Sequence, residues 1–448
     1  MKAASLLLVL TMLLGIFSGC QKAGKPYTHI PDFELASDAA FLVDMNTNDI
    51  IFEKNADKLM FPSALTQMLT AVIALEETQD VNEEITIPED FVAEQNEAGL
   101  PLSGAAPGEV YTMQDLLHCV IMGTDNNAAT LIAQTAGGGD INNFISRLNE
   151  RSKELGTKST NFVNPTGVHD THNYTTARDV AAFAAAASKN ASYLEIAQKT
   201  DYTITGRADQ DARTVTNNDR ILSETDGFPA GIVGLKYSAS EENGLNLVCT
   251  LEQNGLRLMT VLMGAPYSAE GSAVYDDAKK LLTWASATCV LATPPEKDGP
   301  IVSVGVSGNF NAKELALRPE KKLEELLPKG AALQDIQLLC RIPAGISEPV
   351  RKGDTVGSAD IIYNQQKTNS VNLLAAASVN EGGKNNIIVN ILITTGIVLL
   401  SLFVLLLIIR QINLIRYRKK RKRALEQRRK QLRRDLEQNA SPRPPMRR

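Results

Sequence analysis

The sequence predicts an α+β body, a helical cluster packed on an antiparallel sheet, followed by a small all-β domain and one transmembrane helix. Three observations carry this. Apolar residues recur at helical spacing over 64–78, 112–136, 176–198 and 272–290. Residues 200–265 hold short alternating runs, the pattern of antiparallel strands. Residues 387–409 then give 23 positions without a charge, about 34 Å as a helix and enough for a bilayer core. At 448 residues the chain is too long for one small domain. Its composition, 44% hydrophobic and 22% charged, excludes a collagen, a wholly disordered chain and a multi-span membrane protein.

The N-terminus opens on Lys2 and an apolar run from Leu6 to Phe17, too short to span a bilayer, and ends in Ser18-Gly19-Cys20. This predicts a signal peptide over 1–20. Small residues directly before Cys20 resemble a bacterial lipoprotein processing site, so lipidation of Cys20, ordinary cleavage nearby and a retained signal anchor all stay open. At the other end, residues 410–448 hold 16 Lys/Arg against 3 Asp/Glu, or +13. The other 409 residues carry 30 basic and 48 acidic residues, or −18, so the net charge of −5 averages two unlike parts. The basic run Arg416 to Arg423 after the apolar segment puts that end in the cytoplasm by the positive-inside rule. The expected product is a single-pass cell-membrane protein with an extracytoplasmic body and a basic cytoplasmic tail over 410–448. That tail also suits anionic lipid heads.

Within the body, Ala39–Asp44 and Ile50–Glu53 read as a hairpin around the turn Asn46-Thr47-Asn48-Asp49. Pro62-Ser63 opens the helix over 64–78. Two helices fill 112–136, broken around Gly123-Thr124-Asp125-Asn126, and 176–198 is helical and Ala-rich. Strands follow at Tyr202–Ile204, Gly231–Lys236, Asn246–Thr250 and Leu256–Met263, and a last helix at 272–290. After Pro294-Pro295 the β-rich stretches are Ile301–Val306, Gln337–Ile342, Thr355–Ile362 and Ser370–Leu374. Cys119, Cys249, Cys289 and Cys340 each sit among apolar residues, which favours buried free thiols over two disulfides. No Cys or His group has metal-ligand spacing, and His169 with His172 reads as a polar loop pair.

Several stretches together resemble the D-alanyl-D-alanine carboxypeptidase family, the low-molecular-weight penicillin-binding proteins. They are Leu42-Val43-Asp44 with Glu53-Lys54-Asn55-Ala56-Asp57; Pro107-Gly108-Glu109 with Asp115-Leu116-Leu117; Phe162-Val163-Asn164-Pro165-Thr166-Gly167-Val168 with Tyr174-Thr175-Thr176-Ala177-Arg178-Asp179; and Pro349-Val350-Arg351-Lys352-Gly353-Asp354 with Val356-Gly357. The resemblance covers roughly 30–375. It implies a penicillin-binding-protein or β-lactamase-like transpeptidase domain over 30–292 and a β-domain over 297–377.

The family's chemistry uses a Ser nucleophile one helical turn before a Lys base, a second Ser two residues before an Asn, and Lys-Thr-Gly on an edge strand. Here Ala64 stands at the nucleophile position and Gln67 at the base position. A methyl group cannot attack, and an amide accepts no proton near neutral pH. No Ser in the chain has Lys three residues later. Thr124 and Asn126 keep part of the second motif. The third reads Lys236-Tyr237-Ser238, with bulky Tyr237 expected to obstruct it and Ser238 replacing Gly. The resemblance implies substrate contacts from Lys236, Ser238 and Ser240, the last through a backbone N–H.

The expected protein is therefore a membrane-anchored, carboxypeptidase-like component of cell-wall metabolism, catalytically inactive, that binds a peptidoglycan stem peptide or a cell-wall assembly protein. No cofactor, metal or nucleic acid is expected. Two alternatives stay open: an active enzyme with a relocated nucleophile (Ser63 or Thr66 with Lys236 as base), and a purely structural adaptor whose cleft Tyr237 closes.

Overall fold

The computed structural model describes residues 31–438 except 90, 92–105, 208–209, 223–226, 269–270, 293–298, 308–309, 332–334 and 380–383. The expected signal peptide lies outside the described residues. The chain divides into two compact units, Met1–Gly299 with Pro319–Arg341 and Ser358–Asn372, and Pro300–Arg318 with Ile342–Gly357 and Leu373–Arg448.

In the first unit the hairpin forms as β1 (Ala39–Asp44) and β2 (Asp49–Lys54), with Asn48 at positive φ in the turn. A 3-10 turn at Ser63–Leu65 leads into α1 (Thr66–Glu77), buried along most of its length. A short ribbon pairs β3 (Glu84–Thr86) with β4 (Val110–Thr112). Helices α2 (Met113–Ile121) and α3 (Asn126–Ala136) follow, then α4 (Ile141–Glu154). Helix α4 escaped the sequence reading because its polar sequence buries only Phe144, Leu148 and Ser152. The stretch expected as one helix over 176–198 is two, α5 (Ala177–Ala187) and α6 (Ala191–Ala197). Asn190 ends the first and caps the second, its side chain accepting from the Tyr193 N–H at 3.1 Å. Strands β5 (Asp201–Ile204) and β6 (Arg213–Thr216) make another ribbon. Then come β7 (Ile232–Ser240), β8 (Gly244–Gln253), β9 (Leu256–Ala265) and α7 (Ser272–Thr288).

The main sheet runs β2-β1-β9-β8-β7, antiparallel throughout, with β7 at an edge. Alternation along each strand fills two cores. Phe41, Val248, Met259 and Val261 face the helical cluster. Leu42, Leu247, Cys249, Leu258 and Leu262 face α7.

Charged residues of the stretches that suggested a family make structural contacts. Arg178 at the start of α5 forks onto Asp57 at 2.7 and 3.0 Å and reaches Glu53 at 2.7 Å. Its guanidinium holds the Asp57 carboxyl below the usual carboxylate range. Asp115 closes a capping box with Thr112 at the head of α2. Glu109 pairs with Arg213.

Beyond α7, β10 (Cys289–Ala292) pairs with β13 (Glu325–Pro328), β14 (Ile336–Arg341) with β15 (Thr355–Tyr363), and β11 (Val302–Gly305) with β12 (Glu314–Pro319). These strands and β16 (Gln366–Ala375) make a C-terminal all-β region. The described residues end in α8 (Lys384–Gln438), 55 residues, long and apolar enough to cross a membrane. Cys119, Cys249 and Cys289 are buried free thiols, and Cys340 is half-buried.

Asp277 on α7 is buried and accepts from the Ala36 N–H (3.0 Å), the Ser37 N–H (2.7 Å) and the Ser37 hydroxyl (2.7 Å), pinning the segment before β1 to the helix. Replacing it by Ala leaves those donors unsatisfied. Asp277→Ala is expected to cost about 3 kcal/mol and Asp277→Asn less, read by urea unfolding; equal stability of all three proteins would contradict this anchoring role.

Candidate active site

The site forms where the head of α1, the turn before α3, the loop 164–168 and strand β7 converge. Ser63 takes φ 49°, a conformation that costs a non-Gly residue of order 1–3 kcal/mol. The neighbouring loop holds it there. Gly167 (φ 83°) passes so close that a Cβ on it would lie 1.7 Å from the Ser63 carbonyl oxygen. Asn164 shapes that loop, accepting from the Gly167 N–H at 2.7 Å and the Thr166 hydroxyl at 3.1 Å. Thr70 of α1 donates to the Pro165 carbonyl at 2.8 Å.

Ala64 and Gln67 both face this junction. The Gln67 amide nitrogen donates to Asn126 Oδ1 at 3.0 Å and to the Thr166 carbonyl at 3.1 Å. Its oxygen accepts from Lys236 Nζ at 3.3 Å. Lys236 Nζ also donates to the carbonyls of Val120 and Ile121. Asn126 opens α3, whose N-cap Asp125 accepts from the Asn127 and Ala128 N–H groups.

Lys236 reaches this junction through a β-bulge. The register moves from Gly234 opposite Cys249 to Lys236 opposite Val248, leaving Leu235 extra. Leu235 and Lys236 therefore both turn toward the helices. Lys236 is 1% exposed. Burial lowers its pKa to about 7, against the opposing pull of Asp219 and Asp125. Asp219 is itself buried beside Gly234, and burial raises its pKa to about 6.

Ser238 closes the other side. Its hydroxyl lies 2.7 Å from the Ser63 hydroxyl and accepts from the Ala64 N–H at 3.3 Å. That N–H belongs to the nucleophile position, so the donor a reacting carbonyl oxygen would need is already used. Among the described residues no carboxylate, imidazole or amine touches the Ser63 or Ser238 hydroxyl.

Ala64, Gln67, Asn126, Lys236 and Ser238 are thus brought together. The side chains at the other positions have partners within the fold. Lys236 shares the site-facing side of β7 with Ser238, but its amine is buried and bonded to Gln67 and two backbone carbonyls rather than open to a substrate carboxylate. The Thr124 hydroxyl donates to the Gly123 carbonyl at 2.6 Å and accepts from Asn218 Nδ2 at 3.2 Å, so it serves its own positive-φ turn. Ser240 caps the β7–β8 turn, accepting from the Asn243 N–H at 3.0 Å. Tyr237 does not obstruct the third motif: strand alternation places it on the other face, stacked on Tyr275 of α7 at 5.4 Å. Sequence reasoning missed the bulge at Leu235, the buried Asp219 and the acceptor role of the Thr166 carbonyl. Only the last had a signal, the Pro165-Thr166-Gly167 run.

A profile of the family described as D-alanyl-D-alanine carboxypeptidase matches residues 25–267, more than half of the chain. The chain belongs to the D-alanyl-D-alanine carboxypeptidase family. It is similar to D-alanyl-D-alanine carboxypeptidase DacF of Bacillus subtilis, 24% identical over 329 residues, covering 72% of this chain and 82% of that protein. It is also similar to D-alanyl-D-alanine carboxypeptidase DacC of Escherichia coli, 25% identical over 353 residues, covering 77% and 84%. Among solved structures it matches penicillin binding protein 5 of Haemophilus influenzae with a TM-score of 0.67 at 23% identity, covering 79% of this chain and all of that one. That likeness speaks to the fold, a penicillin-binding-protein body, within which this carboxypeptidase-family chain carries Ala64 and Gln67.

The buried amine makes stability depend on pH. Lys236 titrates near 7 when folded and near 10.5 when unfolded, so between those values the unfolded chain holds more protons. Stability therefore rises as pH climbs from about 7 to 10.5 and loses no more from this group below 7. Lys236→Met is expected to abolish that rise, measured by urea unfolding at pH 7 and pH 9.5; an identical rise in the variant would contradict the assignment.

Proposed function

We propose that this carboxypeptidase-family protein is a catalytically inactive, membrane-anchored component of cell-wall metabolism that works by binding. The observation that carries the reading is the closed network at the reaction centre. Ala64 offers no nucleophile, and its N–H is bonded to Ser238. Gln67, in place of a base, has its nitrogen and oxygen bonded to neighbours on three other segments. Acylation needs a nucleophile, a proton acceptor beside it and free donors for the oxyanion. Each requirement is unmet at these positions.

The relocated-nucleophile alternative needs Ser63 or Thr66 to pass a proton to Lys236. The Ser63 hydroxyl instead bonds Ser238, and the amine bonds Gln67 and two carbonyls. The family's activity on D-alanyl-D-alanine termini makes a peptidoglycan stem peptide, or a protein of wall assembly, the natural partner. The helix Lys384–Gln438 serves in this reading as the anchor, with the body outside the cell and the basic tail inside.

The deciding experiment is labelling of the solubilised full-length protein by a fluorescent β-lactam beside an active family enzyme. No adduct is expected, and a stable adduct would overturn the reading. Ala64→Ser with Gln67→Lys is expected to restore little labelling, because the Ser238 hydroxyl still occupies the N–H at position 64. Adding Ser238→Gly is expected to raise it. Full labelling of the double variant alone would show that Ser238 is no obstruction.

A further inference from the structure

Beside the closed centre lies an open cleft of about 460 Å³, lined by Lys58, Leu59, Phe61, Glu241, Asn243, Tyr267 and their neighbours. It abuts the centre at two points: Phe61 stands two residues before Ser63, and the Asn243 N–H donates to Ser240 at the end of β7.

The surface around this cleft is unusual for the domain. Among the described residues up to 292, the large apolar side chains left in solvent are Leu59, Val168, Tyr174 and Tyr267, at 58, 43, 36 and 47% exposure. Two of them line the cleft, and the other two are sequence neighbours of residues that contact its wall. Leu59 and Tyr267 line the cleft. Val168 adjoins His169, whose ring packs on Phe61 at 4.2 Å. Tyr174 adjoins Thr175, which exchanges two 2.9 Å backbone hydrogen bonds with Met60 of the cleft wall. Scattered exposed apolar residues mean little, but a gathered set marks an interaction surface.

The charge of the cleft selects the occupant. Asp38, Glu241 and Glu242 line it against one cation, Lys58, which is paired with Asp38. Glu241 and Glu242 are both exposed, and among the described residues Glu242 pairs with His169 at 3.6 Å. Asn243 Oδ1 is buried without a hydrogen-bond partner, an acceptor in want of a donor. A second copy of this acidic body would be repelled.

We propose that this cleft docks a basic segment of a partner protein, one whose apolar side chains alternate with Lys or Arg. The apolar positions cover Leu59 and Tyr267, and the cations meet Glu241 and Glu242. The proposal does not rest on the inactivity of the neighbouring centre.

The test is fluorescence anisotropy of a labelled hexapeptide of alternating leucine and lysine, titrated with detergent-solubilised full-length protein against empty micelles. Saturable binding that weakens with salt is expected. Glu241→Gln with Glu242→Gln should reduce affinity about tenfold, the sum of two rim charges. Leu59→Ser should reduce it by a similar factor, about tenfold, through lost apolar contact. Both changes are on exposed side chains, and unchanged urea unfolding would verify the fold. Undiminished binding in both variants would overturn the proposal. Displacement of the probe by a stem pentapeptide ending in two D-alanines would overturn the choice of partner, making the cleft a wall-peptide site. Failure of this test leaves the β-lactam result untouched.

Discussion

The amino group of Lys236 sits where water does not reach, and neutral oxygens take its hydrogens. Burying an amine without an adjacent carboxylate is expensive unless every donor finds a partner. That requirement organises much of the site. It calls for the Val120 and Ile121 carbonyls at the end of α2, freed where that helix stops. It calls for an acceptor from α1, which Gln67 supplies with its oxygen. The amide can point its oxygen at Lys236 because Asn126 and the Thr166 carbonyl both accept from its nitrogen. Four separate segments are thereby fixed around one nitrogen. The substitution at position 67 reads as a neutral structural piece that keeps the junction filled.

The fold was largely legible in the sequence because its central elements are strongly apolar. The run 256–263 and the helix in 64–78 are each buried on nearly every side. Helix α4 was not legible, since its inward face is only a few residues wide. Neither was the division of 176–198, where an Ala-rich run hides a boundary that only Asn190 marks. The site was legible as a set of positions and less so as a geometry. The family resemblance singled out Ala64 and Gln67, and both stand at the junction. It could not show the extra residue at Leu235, which puts that side chain on the same face as Lys236. Nor could it show that Tyr237, assigned to the cleft by its place in a motif, belongs to the core beneath α7. A bulge leaves no mark in hydropathy, yet it decides which face every later side chain takes.

The long-range stretches that suggested a family have a physical reading as well. Arg178 joins the first hairpin to α5 across more than a hundred residues of chain, and Gly167 permits the backbone of one loop to touch the backbone of Ser63. These are constraints of assembly rather than of catalysis. They persist beside Ala64 because the sheet and helices still need them. The strained turn at Ser63 persists for the same reason, held by the loop against it.

Helix α8 spans 55 residues with no proline, and its one glycine, Gly396, lies in the apolar part. At 1.5 Å per residue it is about 80 Å long, more than twice the thickness of a bilayer's hydrocarbon core. Whatever part of it a membrane covers, a long stretch of stiff rod remains outside. With no proline to break it, the helix sets its two ends about 80 Å apart, so it acts as a spacer as well as an anchor.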